Sequence, residues 1–90
     1  MNFFYVYVLS YPDGRPFYVG KGTRNRYAFC GNAFAKRVAN KIRRDGGEVG
    51  ITIFPCPNET TALERERHLV RFYGRRDNKT GLLCNLSDGG

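Results

Sequence analysis

Tryptophan is absent from this sequence, histidine occurs once and cysteine only three times. Cys30, Cys56 and Cys84 are far apart and form no C-x-x-C pair, which argues against a disulfide framework. With His68 as the one histidine, a Cys/His zinc site is also disfavoured. We therefore expect three reduced thiols in a reducing compartment.

Long apolar runs are missing as well. No stretch approaches the roughly 20 apolar residues that a membrane-spanning helix needs, and Met1-Asn2-Phe3 lacks the basic region of a signal peptide. We expect a soluble, cytoplasmic protein with no membrane partner. A chain of 90 residues forms one domain, predicted to span residues 1–90.

Acidic side chains are absent from residues 14–44, a segment that carries nine lysines and arginines. The net charge of the whole chain is +7. A basic segment of this length is typical of a protein that binds a polyanion, most often nucleic acid. The alternative is a solvated surface that only keeps the protein soluble.

Local patterns predict five elements. Aromatic and β-branched residues indicate a strand over residues 3–9, followed by a turn at 11–14 and a returning strand at 17–19. Residues 20–26 are rich in glycine and arginine and are predicted to form a loop. Apolar periodicity predicts a helix over 32–45, with Asn32 as its N-cap.

A third strand is expected over 49–54, ended by Pro55 and Pro57. Asn58 or Thr61 can cap a second helix that runs to Tyr73, and residues 82–86 form a short apolar tail. The predicted fold is α+β: a small three-stranded antiparallel sheet flanked by helices, in the order β-β-α-β-α.

One carboxylate of the predicted second helix falls among apolar residues. A helical wheel places Glu66 inside an apolar arc formed by Ala62, Leu63, Leu69, Val70 and Tyr73. A buried carboxylate is costly unless it is paired or binds a metal ion. Glu66 is therefore either the partner of an arginine such as Arg26 or a metal ligand, whereas Glu64 and His68 fall on the polar face.

Five polar elements follow one another along essentially the whole chain. The first two are the triplets Tyr5-Val6-Tyr7 and Tyr18-Val19-Gly20, which are separated by ten residues and resemble the paired signature of the GIY-YIG nucleases. Arg26, with Arg24 as second choice, matches the following arginine; Glu66-Arg67-His68-Leu69-Val70 matches the helical E-x-x-aliphatic-aliphatic pattern; and Asn85 matches the late asparagine.

The resemblance implies a metal-dependent DNA endonuclease that hydrolyses phosphodiester bonds with one divalent cation, Mg²⁺ or another such as Mn²⁺. Glu66 would hold the metal ion, which prefers oxygen ligands and retained waters. Arg26 would contact the scissile phosphate. Tyr7 would orient or deprotonate the attacking water, and Tyr18 would hydrogen-bond the phosphate or the water.

Further roles are assigned on the same basis. Asn85 would organise the site by tying the tail to the helix that carries Glu66. Gly20 and Gly22 would let a DNA backbone come close. Many relatives carry a histidine near the position of Cys30, and Lys21 is the candidate that replaces it in the catalytic set.

DNA is the expected partner. Its backbone would be contacted by basic side chains that give affinity without sequence information, namely Lys21, Arg24, Lys36, Arg37, Lys41, Arg43 and Arg44. Specificity would come from DNA structure, a homodimer or a separate protein partner. Two alternatives stay open: a nuclease-like module that binds nucleic acid without cutting it, and a basic protein-interaction domain.

Overall fold

A computed structural model describes residues 4–23, 32–76, 79 and 81–85. Their elements follow the order β-β-α-β-α: β1 (Phe4–Ser10), β2 (Pro16–Thr23), α1 (Ala33–Arg44), β3 (Gly50–Cys56) and α2 (Glu59–Tyr73). The predicted α+β architecture with a three-stranded antiparallel sheet is confirmed.

The sheet has the strand order β2-β1-β3, so the most apolar strand, β1, lies in the centre. Both neighbours are antiparallel to it, and Val8 pairs with Val19 on one side and with Thr52 on the other. The register shifts between Leu9 and Ser10, next to the β1–β2 turn. In that turn Gly14 adopts a φ of 93°, a conformation that glycine tolerates best.

Two predicted strand boundaries are wrong. Residues 20–26 are predicted to form a loop, but residues 20–23 continue β2, where Gly20 pairs with Tyr7 and Gly22 with Tyr5. The third strand was expected to end before Pro55, but it includes this proline. A proline is tolerated there because β3 is an edge strand, on which an amide donor can be missing.

Asparagine caps begin both helices. The side-chain oxygen of Asn32 accepts a hydrogen bond from the Ala35 amide at 2.8 Å, and that of Asn58 accepts one from the Thr61 amide at 2.8 Å. Asn58 is therefore the cap of α2, which settles the choice between Asn58 and Thr61. Gly74, with a φ of 75°, ends α2 as predicted.

The sheet separates two apolar clusters. On one face, here called the α1 face, Tyr5, Tyr7 and Leu9 pack with the buried alanines of α1. On the opposite α2 face, Val6 and Val8 pack with buried residues of α2. Alternation along β1 thus supplies both halves of the core, because successive side chains of a strand point to opposite faces.

None of the helices in the described part of the chain is both long and apolar enough to span a bilayer.

Candidate active site

Tyr7 and Tyr18 lie side by side on the α1 face. Their ring centroids are 6.2 Å apart, at an angle of 39° between the ring planes. They are diagonal neighbours, because Tyr7 pairs with Gly20 and Tyr18 pairs with Leu9. Tyr7 is 4% exposed whereas Tyr18 is half-buried, so Tyr18 is the more accessible of the two.

The ring of Tyr7 extends over the backbone of Gly20. A Cβ atom at position 20 would overlap Cζ and Oη of Tyr7 and would lie 2.7 Å from its Cε1. Tyr5 covers Gly22 in the same way, and its hydroxyl donates a hydrogen bond to the carbonyl of Thr23 at 3.2 Å. The two glycines thus give room to tyrosine rings, which is a different reason from the close approach of DNA expected from the sequence.

This packing directs the Tyr7 hydroxyl across β2. The ring begins on the central strand, and its Oη is among the atoms nearest to a Cβ at Gly20, on the edge strand. A side chain at position 20 would block this path. The glycine therefore lets a buried tyrosine bring its hydroxyl to the outer strand of the sheet.

Asn85 binds β2 through both ends of its amide. Its Oδ1 accepts a hydrogen bond from the Val19 amide at 3.0 Å, and its Nδ2 donates one to the Val19 carbonyl at 2.7 Å. The side chain therefore serves as a strand partner at the outer edge of β2. The expectation that this amide ties the tail to α2 is wrong, because the hydrogen bonds of the Asn85 side chain go to Val19 of β2 and not to α2.

The neighbouring tail residues strengthen the same attachment. The amide of Cys84 donates to the carbonyl of Phe17 at 2.7 Å, and the carbonyl of Cys84 accepts from Nδ2 of Asn32 at 3.0 Å. Asn32 thus caps α1 and holds the tail at once, a second role that sequence reasoning missed. No sequence signal indicates it, since the two residues are 52 positions apart.

Glu66 is buried, as the helical wheel predicted. It is 7% exposed and lies on α2 between Ala62 and Val70, which are fully buried in the α2-face cluster. Glu66 is not without an interaction partner, as a buried carboxylate requires. Glu64 and His68 are exposed, as expected.

Lys21 lies on the other side of the sheet from the tyrosine rings. It pairs with Val6, which places its side chain on the α2 face, and its Nζ forms an ion pair with Glu59 at 3.1 Å. Glu59 lies in the first turn of α2. The structure therefore associates Lys21 with α2 rather than with Tyr7. No local sequence signal indicates its acidic partner, which is 38 positions away.

The five basic residues predicted on α1 are all exposed: Lys36, Arg37, Lys41, Arg43 and Arg44. Three of them lie in the last turn, where positive charge also favours the helix dipole. Arg24, Arg26 and Cys30 lie outside the described residues.

A magnesium ion can be held by few protein atoms, because it retains waters and binds through one or two carboxylates plus substrate oxygens. In the described ranges, no three His, Cys, Asp or Glu side chains are grouped so as to hold a metal ion. A single carboxylate such as that of Glu66 is compatible with magnesium bound in this way.

Comparison with family models, curated proteins and solved structures gives no match for this chain. Membership of the GIY-YIG family therefore stays a prediction from the sequence motifs.

Proposed function

We propose that this protein is a metal-dependent DNA endonuclease of the GIY-YIG type. The observation that carries the proposal is Glu66, a carboxylate that is 7% exposed on an otherwise apolar helix stripe. Burial of a carboxylate is unfavourable, and a role in holding a metal ion is a functional reason for its presence at this position. The close pair of Tyr7 and Tyr18 on the neighbouring strands supports the same interpretation.

The outer strand of the sheet is the place where the proposed groups can meet. Tyr7 belongs to the α1 face, whereas the neighbours of Glu66 on its helix belong to the α2 face. One phosphodiester can touch both groups only around an edge of the sheet. Because Asn85 covers β2 at Val19, we place the phosphate beside residues 20–23, towards which the Tyr7 hydroxyl is directed.

Each side chain has a role in this arrangement. Tyr18 donates a hydrogen bond to the phosphate or the attacking water, and Tyr7 orients that water or accepts its proton. Arg26, which follows β2 closely in the sequence, neutralises charge on the phosphate. Glu66 holds the metal ion, and the bound ion supplies charge stabilisation at the phosphoryl oxygens.

The exposed cations of α1 would contact the DNA backbone away from the reacting bond. Such contacts give affinity that falls steeply with salt and is independent of sequence. Asn85 supports the site indirectly, since it fixes β2 between Tyr18 and Gly20.

A plasmid-nicking assay with Mg²⁺, and with EDTA as control, tests the proposal. Glu66→Gln should reduce nicking by at least about 100-fold, because it removes the metal-binding carboxylate but keeps the size of the side chain. Glu64→Gln on the exposed face of the same helix is the matched control and should keep full activity. Equal activity of the two variants, with both folded by circular dichroism, would refute the role of Glu66.

A non-catalytic nucleic-acid-binding module is the second candidate. It is favoured by one observation: Tyr7 is nearly buried and packs in the core, so its presence has a structural explanation. This candidate predicts DNA binding without any metal-dependent nicking. Tyr18→Phe distinguishes the two candidates. In an enzyme it should lower nicking by about 10- to 100-fold, whereas in a pure binder there is no nicking to lose and the DNA affinity should stay unchanged. Tyr73→Phe is its control.

A further inference from the structure

The two outer edges of the sheet differ. The edge of β2 is covered by the tail, through the hydrogen bonds of Cys84 to Phe17 and of Asn85 to Val19. Among the described residues, no strand pairs with the outer edge of β3. An edge strand with open backbone donors and acceptors is a template for pairing with another strand.

The outward backbone groups of β3 can be identified from the hydrogen bonds on the other edge. Val19 uses its N–H and C=O for Asn85, so both point away from β1. Its partner Val8 therefore directs its N–H and C=O away from β2 and towards β3. Val8 pairs there with Thr52, so the N–H and C=O of Thr52 point towards β1. Since the direction alternates along a strand, Ile51 and Ile53 present their N–H and C=O groups to the outside.

Pro55 supports this assignment independently. Pro55 lies two residues after Ile53 and four after Ile51, so its backbone nitrogen also faces outward, where a proline removes no hydrogen bond to β1.

The side chains of these outward-facing residues are apolar and accessible. Ile51 is 45% exposed and Ile53 is 40% exposed, although both lie on the α1 face next to the core residues Leu9 and Tyr7. The strand itself, Gly50–Cys56, contains no charged residue, in a chain with a net charge of +7. Edge strands that are protected from pairing usually carry charge, especially lysine, or proline. The one proline of β3, Pro55, lies near the end of the strand, so residues 50–54 carry neither form of protection.

We propose that β3 pairs in antiparallel fashion with β3 of a second copy of this chain, around a twofold axis at Thr52. In this register Ile51 lies opposite Ile53 of the second copy, and these two residues exchange both backbone hydrogen bonds. Thr52 lies opposite Thr52 of the second copy at a non-hydrogen-bonded position. The result is one six-stranded sheet, with four isoleucines adjacent on one face.

Self-complementarity and charge favour a second copy as the partner. The strand is its own match in this register, as a twofold interface requires. Two copies that each carry +7 repel each other, and β3 lets them meet without bringing basic side chains face to face. Because screening reduces this repulsion, association should become stronger with increasing salt. The contact is small compared with a standard interface of about 1,600 Å², so we expect a weak dimer.

Cysteine cross-linking in the full chain tests the register. Opposed Thr52 positions should have Cα atoms about 4.5 Å apart, which suits a disulfide. Thr52→Cys should therefore form a covalent dimer with oxidised glutathione, at least ten times faster than the wild-type chain, whose native thiols set the background. Ile51→Cys is the matched control, because the two copies of residue 51 would be roughly 8 Å apart, beyond disulfide reach. Equal cross-linking of the two variants would refute the register.

Sedimentation velocity tests the association without added cysteines. The wild-type chain should show a concentration-dependent dimer at tens to hundreds of micromolar. Ile53→Pro should abolish it, because this change removes an outward donor but no hydrogen bond to β1. The proposal would be overturned if the folded wild-type chain stays monomeric at every concentration and salt and Thr52→Cys shows no accelerated cross-linking. Such a result would not affect the proposed nuclease function.

Discussion

A methyl group added at position 20 has no room in the folded protein. The Cβ atom of an alanine there would overlap Cζ and Oη of Tyr7 and would lie 2.7 Å from Cε1. An ordinary contact between carbon atoms begins at about 3.5 Å, so the ring must move by roughly 1 Å. The ring is held by Tyr5 and Tyr18, whose centroids are 6.3 Å and 6.2 Å away, and it is nearly buried.

The cost can be estimated from two opposing effects. Overpacking a filled core typically costs about 1–3 kcal/mol. Replacing glycine by alanine within a strand returns about 0.5–1 kcal/mol, since the unfolded chain loses less freedom on folding. Gly20→Ala should therefore lower the free energy of unfolding by up to about 2.5 kcal/mol, with a central value of about 1 kcal/mol.

Urea denaturation of three alanine variants gives the assay. The nearest atoms to a new Cβ are 3.0 Å away at Gly22 and 3.4 Å away at Gly50, so Gly22→Ala should be intermediate and Gly50→Ala nearly neutral. In a Tyr7→Ala background the obstacle at position 20 is gone, and Gly20→Ala should become stabilising. The reasoning fails if Gly20→Ala and Gly50→Ala have the same effect in both backgrounds.

Nicking activity offers a second measurement on the same variant. If Tyr7 acts on the attacking water, a displacement of its ring by about 1 Å should reduce nicking by up to about 100-fold. This loss should exceed the small change in the folded fraction at the assay temperature.

Three further predictions concern the tail and the basic helix. Asn85→Ala should lower the free energy of unfolding by about 1–3 kcal/mol, because it leaves two backbone groups of Val19 without partners; Asn40→Ala on the exposed surface of α1 should change it by less than about 0.5 kcal/mol. Burial raises the pKa of the Cys84 thiol, against an opposing effect of Arg76. Because the thiol of the unfolded chain then ionises at lower pH, the free energy of unfolding should be retained below about pH 8.5 and fall as the pH rises through the raised pKa. Denaturation curves of Cys84→Ala should lack this fall, and the same fall in that variant would contradict the assignment to Cys84. Neutralising two α1 cations, as in a Lys36→Gln and Arg37→Gln variant, should weaken DNA binding and reduce the slope of log affinity against log salt by about 2, and an unchanged slope would exclude those contacts.

Features encoded within a few residues were predictable from the sequence. The order of elements follows from β-branched runs, helical periodicity and the glycines and asparagines that end or begin helices. The burial of Glu66 also follows, because its position relative to Ala62 and Val70 is fixed by the helix repeat. So does the exposure of the basic residues of α1.

Features that depend on distant residues were not predictable. Glycine at positions 20 and 22 is a local signal for a loop, yet both residues lie in a strand because tyrosine rings of β1 fill the space above them. Lys21 was a plausible neighbour of Tyr7 until the register placed it on the opposite face, beside Glu59.

Local patterns are sufficient for the order of the elements, the side chains buried on each helix and the exposed charges of α1, because these properties repeat with the period of a helix or a strand. Long-range contacts set the strand register, the partner of Asn85, the faces that separate Tyr7 from the neighbours of Glu66, and the edge of the sheet that stays open among the described residues. These depend on pairing between residues as many as 66 positions apart, for which local propensity carries no information.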